Sequence, residues 1–169
     1  MTHPLFAGLT HTGIIVDDLD AAMENYSAAL GLHWANPLRS NFPLQTRAGV
    51  LPREMRVTYS QEGPHHLELI ELVDSTAYDA VEGGPLVHHM GYSVKDMEAE
   101  IARLEALGFP SELRGENHGA DVELMFSYHR VPHGGLFIEL SNDLLQPGIQ
   151  AWANGSSSWQ SNPADGDGA

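Results

Sequence analysis

The first regular pattern in the chain is an alternation of apolar and polar positions from Leu9 to Val16, β-branched toward its end, which predicts a strand. Asp17 and Asp18 then offer helix-capping side chains, and Leu19, Ala22, Met23, Tyr26 and Leu30 recur at helical spacing up to a terminating Gly31. Residues 33–54 carry Pro37, Pro43 and Pro52 and hold no sustained period, which predicts a long irregular connection with room for one short element. Met55 to Ser60 and His66 to Val73 read as two strands joined by a turn at Gln61-Glu62-Gly63-Pro64.

A second round of the same pattern starts at Leu86. The run Val87 to Val94 predicts a strand, and Met97, Ile101, Leu104 and Leu107 predict a helix from about Asp96 to Leu107, closed by Gly108. Ser111 to Arg114, Glu123 to Tyr128 and Leu136 to Ser141 follow as strands. The two rounds share a literal motif, because His11-Thr12-Gly13-Ile14-Ile15-Val16 with its following residues and His89-Met90-Gly91-Tyr92-Ser93-Val94 with its own both read H-x-G-x-x-V-x-D-[LM]-[DE]-A. The chain therefore reads as an α+β duplication: a first βαβββ module over 8–74, a linker over 75–85, a second module over 86–142 and a C-terminal tail over 143–169. The tail has a loop-like composition, yet Trp152 and Trp159 are costly to leave in water and point to docking on the body or on a partner chain.

Composition narrows the chemistry. A length of 169 residues with 42% hydrophobic content suits one ordinary domain or two half-size units sharing a core. With no cysteine, disulfides and thiolate ligands are excluded, so any metal must be held by His, Asp or Glu. A net charge of −15 against eight basic residues argues against nucleic acid or an anionic membrane as partner. No basic-then-apolar leader and no apolar run of about 18 residues is visible, so a soluble cytoplasmic protein without a membrane span is expected. Arg39, Arg47, Arg53 and Arg56 fall in one stretch; a solvated loop is the simpler reading, and a local positive patch the alternative.

Each round also ends alike. His66-Leu67-Glu68-Leu69-Ile70 and Leu136-Phe137-Ile138-Glu139-Leu140 each place one carboxylate inside a largely apolar strand, where an ionised group is expensive unless paired or bound to a cation. By strand alternation His11 shares a face with Gly13 and Ile15, and His89 with Gly91 and Ser93. Packing of the two copies about a pseudo-twofold axis would let two His and two Glu converge. Imidazole plus carboxylate donors suit one divalent ion such as Co, Ni, Mn, Fe or Zn, and four donors leave two octahedral positions for water or substrate. By the same alternation His88 is expected on the face opposite His89, Glu71 is out of phase with Glu68, and His65, His66, His118, His129 and His133 read as loop or pocket-rim residues.

The repeated motif, the exits Leu67-Glu68-Leu69-Ile70-Glu71 and Phe137-Ile138-Glu139-Leu140, and the doublet His88-His89-Met90 resemble the vicinal oxygen chelate superfamily. That superfamily includes glyoxalase I, methylmalonyl-CoA epimerase, extradiol dioxygenases and the bleomycin and fosfomycin resistance proteins; the chain is most similar to the methylmalonyl-CoA epimerase-like branch, over roughly residues 8–142. The resemblance implies a single domain whose two modules form a curved mixed sheet around a central metal site. It implies His11, Glu68, His89 and Glu139 as metal ligands, with Glu139 and Glu68 as the catalytic acid/base pair. It further implies a divalent-metal-dependent epimerase, isomerase or lyase moving a proton alpha to a carbonyl, a small carbonyl or acyl-thioester substrate, and a homodimer. An Fe(II) dioxygenase on the same scaffold and a metal-free binding or resistance protein are the alternatives, and a fourth donor at Glu68 speaks against the dioxygenase. His129 matches a histidine that the epimerases carry before their last strand, which would let it touch substrate. The sequence departs from the epimerase pattern at His129-Arg130-Val131-Pro132-His133-Gly134-Gly135 and in the shorter stretch from Thr76 to Val87, which leaves the substrate open.

Overall fold

The structure, a computed structural model, describes residues 8–40, 43–51, 54–74, 86–116, 122–133 and 135–156. The first round folds as β1 (Leu9–Val16), α1 (Leu19–Leu30), β2 (Leu38–Ser40), β3 (Leu44–Thr46), β4 (Gly49–Leu51), β5 (Glu54–Tyr59) and β6 (His66–Asp74). The second folds as β7 (Leu86–Val94), α2 (Met97–Ala106), β8 (Ser111–Glu116), β9 (Leu124–Arg130) and β10 (Phe137–Asn142), and α3 (Gln146–Ala153) follows a short 3-10 turn. Both long helices start as their sequences dictate: Asp18 accepts from the Ala21 amide at 2.9 Å and Asp96 from the Ala99 amide at 3.0 Å. Gly31, at φ 72°, ends α1; α2 ends at Leu107, with Gly108 in the left-handed region and Phe109 N–H bonding back to Leu104.

All ten strands belong to one curled sheet, a half-barrel, in the order β2-β5-β6-β1-β7-β10-β9-β8-β3-β4. Read from the β1·β7 junction outward, the order is symmetric, with β6 and β10 parallel to their module's first strand, then β5 and β9, then β2 and β8. The remaining strand of the first module, invisible to periodicity, is thus the three-residue β2 at its outer margin. The expected irregular connection over 33–54 in fact holds three short strands, since cross-strand pairing rather than internal period stabilises them.

Apolar residues fill both faces of the sheet. On the convex side Ile14, Val16 and Leu69 pack against Leu19 of α1, and Val94 and Leu140 against Met97, Ile101 and Leu104 of α2. Two segments cover the concave side. The β3–β4 hairpin belongs to the first module but pairs with β8, and its fully buried Leu44 packs on Leu113 and Tyr128. Conversely, α3 follows the second module and lays Trp152 onto Met55, Val57, Tyr59 and Ile70 of the first. Residues 143–153 are therefore folded rather than a tail: Trp152 is 1% exposed, and its indole N–H donates to the Asn36 carbonyl at 2.8 Å. The linker over 75–85, Trp159 and His118 lie outside the described residues. Among the described residues no helix is long and apolar enough to cross a membrane.

The two modules meet at the antiparallel β1·β7 pair, where His11 faces Gly91 and Gly13 faces His89. A Cβ on either glycine would collide with the opposing imidazole ring, so the H-x-G spacing is a reciprocal lock. The register of this pair breaks twice, at Thr10 and at His88, and each break is a bulge immediately before a locked histidine. The bulge overturns the alternation expected for His88: its ring stands 4.9 Å from Phe137 and 5.1 Å from Tyr128, on the concave side with His89.

Two outcomes are expected in urea denaturation. Gly91→Ala should lower stability by about 1–3 kcal/mol, the cost of overpacking a site that cannot yield; an unchanged midpoint would refute the lock. Trp152→Ala should cost about 3–5 kcal/mol, as for a buried aromatic, whereas a loosely attached tail would show no effect.

Candidate metal centre

The register of the sheet builds the site in two matching rows. One runs Tyr59, Glu68, Gly13, His89, Phe137 across β5, β6, β1, β7 and β10; the other runs Tyr128, Glu139, Gly91, His11, His66 across β9, β10, β7, β1 and β6. Each glycine leaves a gap in its row, and the imidazole facing it in the same row, from the other module's strand, fills it. This brings His11, Glu68, His89 and Glu139 together, all buried, with one donor atom from each within 4.8 Å of the others.

The distances within the cluster are short. His89 Nε2 lies 2.7 Å from Glu139 Oε2, 3.0 Å from Glu68 Oε2 and 3.1 Å from His11 Nε2; His11 Nε2 lies 3.1 Å from Glu139 Oε2 and 3.6 Å from Glu68 Oε2. A single ring nitrogen carries at most one proton and cannot satisfy three such neighbours. Glu68 Oε2 is buried without a hydrogen-bond partner among the described residues. Donors 2.0–2.2 Å from an ion and at right angles around it stand about 3 Å apart, which is the spacing found. The donor set, its spacing and the unsatisfied carboxylate oxygen fit a divalent cation.

The far side of each imidazole is also held, again in matching fashion. Thr10 Oγ1 lies 3.0 Å from His11 Nδ1 and donates its own proton to the Gly91 carbonyl at 3.1 Å, so it accepts from His11 Nδ1–H and leaves the Nε2 lone pair facing the cluster. His88, at the equivalent place in the repeat, sets its Nδ1 3.0 Å from His89 Nδ1. Burial, followed by the neighbouring His89 charge, lowers the His88 pKa to about 3, so His88 is neutral and able to accept that proton.

Without an ion the cluster shares protons. Burial opposes a charge on His89, but the carboxylates of Glu139 and Glu68 outweigh it and lift the imidazole to about 9. Burial likewise disfavours ionised Glu139, and the imidazoles of His89 and His11 outweigh it, holding the carboxyl below the usual range. The Tyr59 phenol is raised well above its ordinary value, first by burial and then by the charges of Glu68 and Glu139.

A cavity of ≈ 80 Å³ opens beside the cluster, with Glu68 and Glu139 in its wall together with Tyr59, Tyr128, Ser40 and Ser141. Tyr59 and Tyr128, in the strands next to each glutamate, were not singled out by sequence reasoning. Their signal is the matching Thr58-Tyr59-Ser60 and Ser127-Tyr128-His129, which only the paired register makes meaningful. Thr10 was missed as well, although it is the counterpart of His88 in the repeat.

Two histidines read as loop or rim residues are in fact buried and structural. His66 bonds the Ser60 carbonyl at 2.7 Å and Gln150 at 3.1 Å. His129 bonds the Phe109 carbonyl and Ser127, each at 3.0 Å, on the convex side away from the cavity, because its strand position alternates with Tyr128. Substrate contact by His129 is thereby excluded. His65 lies near Thr12, 2.9 Å from its hydroxyl, in an exposed position, and His133 is exposed. Glu71 pairs with Arg56 at 2.9 Å, which Asp20 also engages, and Arg39 pairs with Glu54, so these two arginines form no free positive patch; Arg53 lies outside the described residues.

Comparison with known proteins agrees with this architecture. The family profile described as Glyoxalase/Bleomycin resistance protein/Dioxygenase superfamily matches residues 10–126. Methylmalonyl-CoA epimerase from Mycobacterium tuberculosis superposes with a TM-score of 0.61 at 23% identity, covering 84% of this chain and 91% of that one. A Streptomyces coelicolor methylmalonyl-CoA epimerase variant in complex with 2-nitronate-propionyl-CoA gives 0.53 at 22%, covering 79% and 95%. A hypothetical protein from Bacillus halodurans gives 0.56 at 19%, covering 79% and 92%. At these identities the likeness is one of fold, and no curated protein sequence matches. The match over most of the chain, on a symmetric half-barrel with a His/Glu cluster at its centre, makes this chain a member of the glyoxalase/bleomycin resistance/dioxygenase superfamily.

Proposed function

We propose that the chain is a divalent-metal-dependent enzyme that transfers a proton alpha to a carbonyl, an epimerase, isomerase or lyase. The observation that carries this reading is the pair of glutamates, one from each module, that lie in the cluster and in the cavity wall at once. His11, Glu68, His89 and Glu139 would hold the ion; when bound it supplies Lewis acidity that makes the proton next to a carbonyl easier to remove.

The protein's own groups do the rest. Glu139, kept ionised by His89 and His11, is the base that takes the proton at a carboxylate oxygen. Glu68, related to it by the pseudo-twofold axis, lies on the other side; a proton it takes up from solvent is returned to the carbon there, as inversion requires, and Glu139 gives its own proton up to solvent. Thr10 and His88 keep both imidazoles turned toward the centre by holding their Nδ1 atoms. Small carbonyl compounds and acyl thioesters are the candidate substrates, the latter by fold likeness to epimerases.

Exchange of the alpha proton into deuterated solvent, followed by NMR over a panel of 2-oxo compounds and acyl thioesters, tests the reading. Glu139→Gln and Glu68→Gln should each slow exchange by about 10²–10⁴-fold while still taking up metal supplied in excess. Undiminished exchange in Glu139→Gln would remove its role as base. A protein that purifies and reconstitutes without metal and exchanges nothing would overturn the proposal, and oxygen uptake with bound Fe(II) would replace it with the dioxygenase alternative.

The pKa of His89 adds a pH dependence. In metal-free protein the raised folded value contributes stability that is fully present below the unfolded value near 6.5 and is lost as pH rises through about 9. Chelator-treated protein should therefore lose urea stability between pH 6.5 and 9. Metal-loaded protein should not, because the ion replaces the proton as the cation between the carboxylates. Parallel pH profiles for the two forms would contradict this.

A further inference from the structure

The cavity beside the cluster is symmetric in its floor and asymmetric in its roof. Glu68 and Glu139, with Tyr59 and Tyr128, come in pairs, one from each module. The roof comes from the C-terminal segment alone: Leu145, Ile149 and Trp152, spaced by four and three residues, present one helical face to the cavity. Met55, Val57 and Ile70 complete an apolar chamber beneath them.

The roof is fixed rather than loosely laid. Trp152 N–H donates to the Asn36 carbonyl at 2.8 Å, and Gln150 donates to His66 Nε2 at 3.1 Å. The latter bond is possible because His66 Nδ1–H is used on the Ser60 carbonyl at 2.7 Å. Trp152 also stands edge-on to Tyr59 at 5.4 Å, and Tyr59 edge-on to His11 at 5.2 Å, so the helix is registered against the cluster itself. A cavity of ≈ 80 Å³ lined mostly by apolar side chains suits a short hydrocarbon group.

We infer that α3, with Leu145 just before it, is the specificity-determining wall of this site, and that the substrate carries, next to the carbonyl at Glu68 and Glu139, a compact uncharged hydrocarbon group that packs under Leu145, Ile149 and Trp152. This rests on the metal-centred reading above and goes beyond it by assigning the side of the substrate that is discriminated and the segment that discriminates it. A charged group in this chamber would sit among apolar side chains, where it loses its hydration without a partner of opposite charge.

The test uses the full chain loaded with cobalt(II), whose visible absorption reports both ion uptake and ligand binding. Acetohydroxamate, isobutyrohydroxamate and the monohydroxamate of succinate share one chelating head and differ only in the group behind it. Isobutyrohydroxamate is expected to bind at least tenfold tighter than acetohydroxamate, and the anionic probe more weakly than isobutyrohydroxamate. Ile149→Asn should bring the first two affinities within about twofold of each other while the cobalt content stays unchanged. Leu145→Ser gives the same readout should Ile149→Asn unfold. Equal affinity for all three probes, preference for the anionic one, or undiminished selectivity in both folded variants would overturn the inference while leaving the metal centre standing. Failure to take up cobalt would overturn the metal centre, and the inference with it.

Discussion

The reciprocal lock between His11 and Gly91, and between His89 and Gly13, is the constraint on which the rest of the molecule depends. A histidine facing inward from a strand needs lateral room for its ring, and in a two-stranded junction that room exists only where the facing residue has no side chain. Each module supplies the other's vacancy, so the strands can pair in one register alone: a slip of one strand by one residue would turn its ring to the convex face and take its glycine away from the other ring. The same register sets Glu68 level with Gly13 and Glu139 level with Gly91, which delivers the carboxylates to the place where the imidazoles meet. Fold and candidate site are thus specified by the same few residues.

Symmetry explains the floor of the cup, and exchange explains its cover. The β3–β4 hairpin leaves the first module to close the second, and α3 follows the second module to close the first. Ser40 and Leu44 are four residues apart, no more than about 14 Å of chain, yet β2 and β3 lie toward opposite ends of the sheet order. The sheet must curl until its margins face one another across the mouth. With the hairpin filling the second module's side through Leu44, open volume persists under α3, which is why the two glutamates, equivalent in the duplication, meet an environment that is not symmetric.

Much of this was legible in the sequence, for identifiable reasons. The H-x-G motif and the strand-borne glutamates are short, repeated and chemically costly, so residue pattern alone set His11, Glu68, His89 and Glu139 apart. What escaped was whatever depends on partners far along the chain. The strands β2, β3 and β4 have three residues each and owe their existence to β5 and β8 rather than to their own period. The position of His88 was misread because strict alternation assumes an unbroken ladder, and the bulge adds a residue to it. The burial of His66 depends on Gln150 at the far end of the chain, and α3 lies in a segment whose composition reads as a tail, with Trp152 as its one strong indication of packing.

The charge arrangement at the centre ties these points together. Two carboxylates buried at 6–8% exposure, among apolar strands, would repel one another and forfeit solvation if left alone. Without an ion, a proton on His89 can satisfy one oxygen well and leaves Glu68 Oε2 without a bond among the described residues. A single positive charge therefore balances only half of the negative charge that the duplication brings in. Duplication of a His/Glu half-site yields two carboxylates and two neutral nitrogens, so the full set is neutralised by a dication and by no smaller charge at one point. The orphaned oxygen is the visible remainder of that mismatch, and it belongs to a glutamate that also lines the cavity.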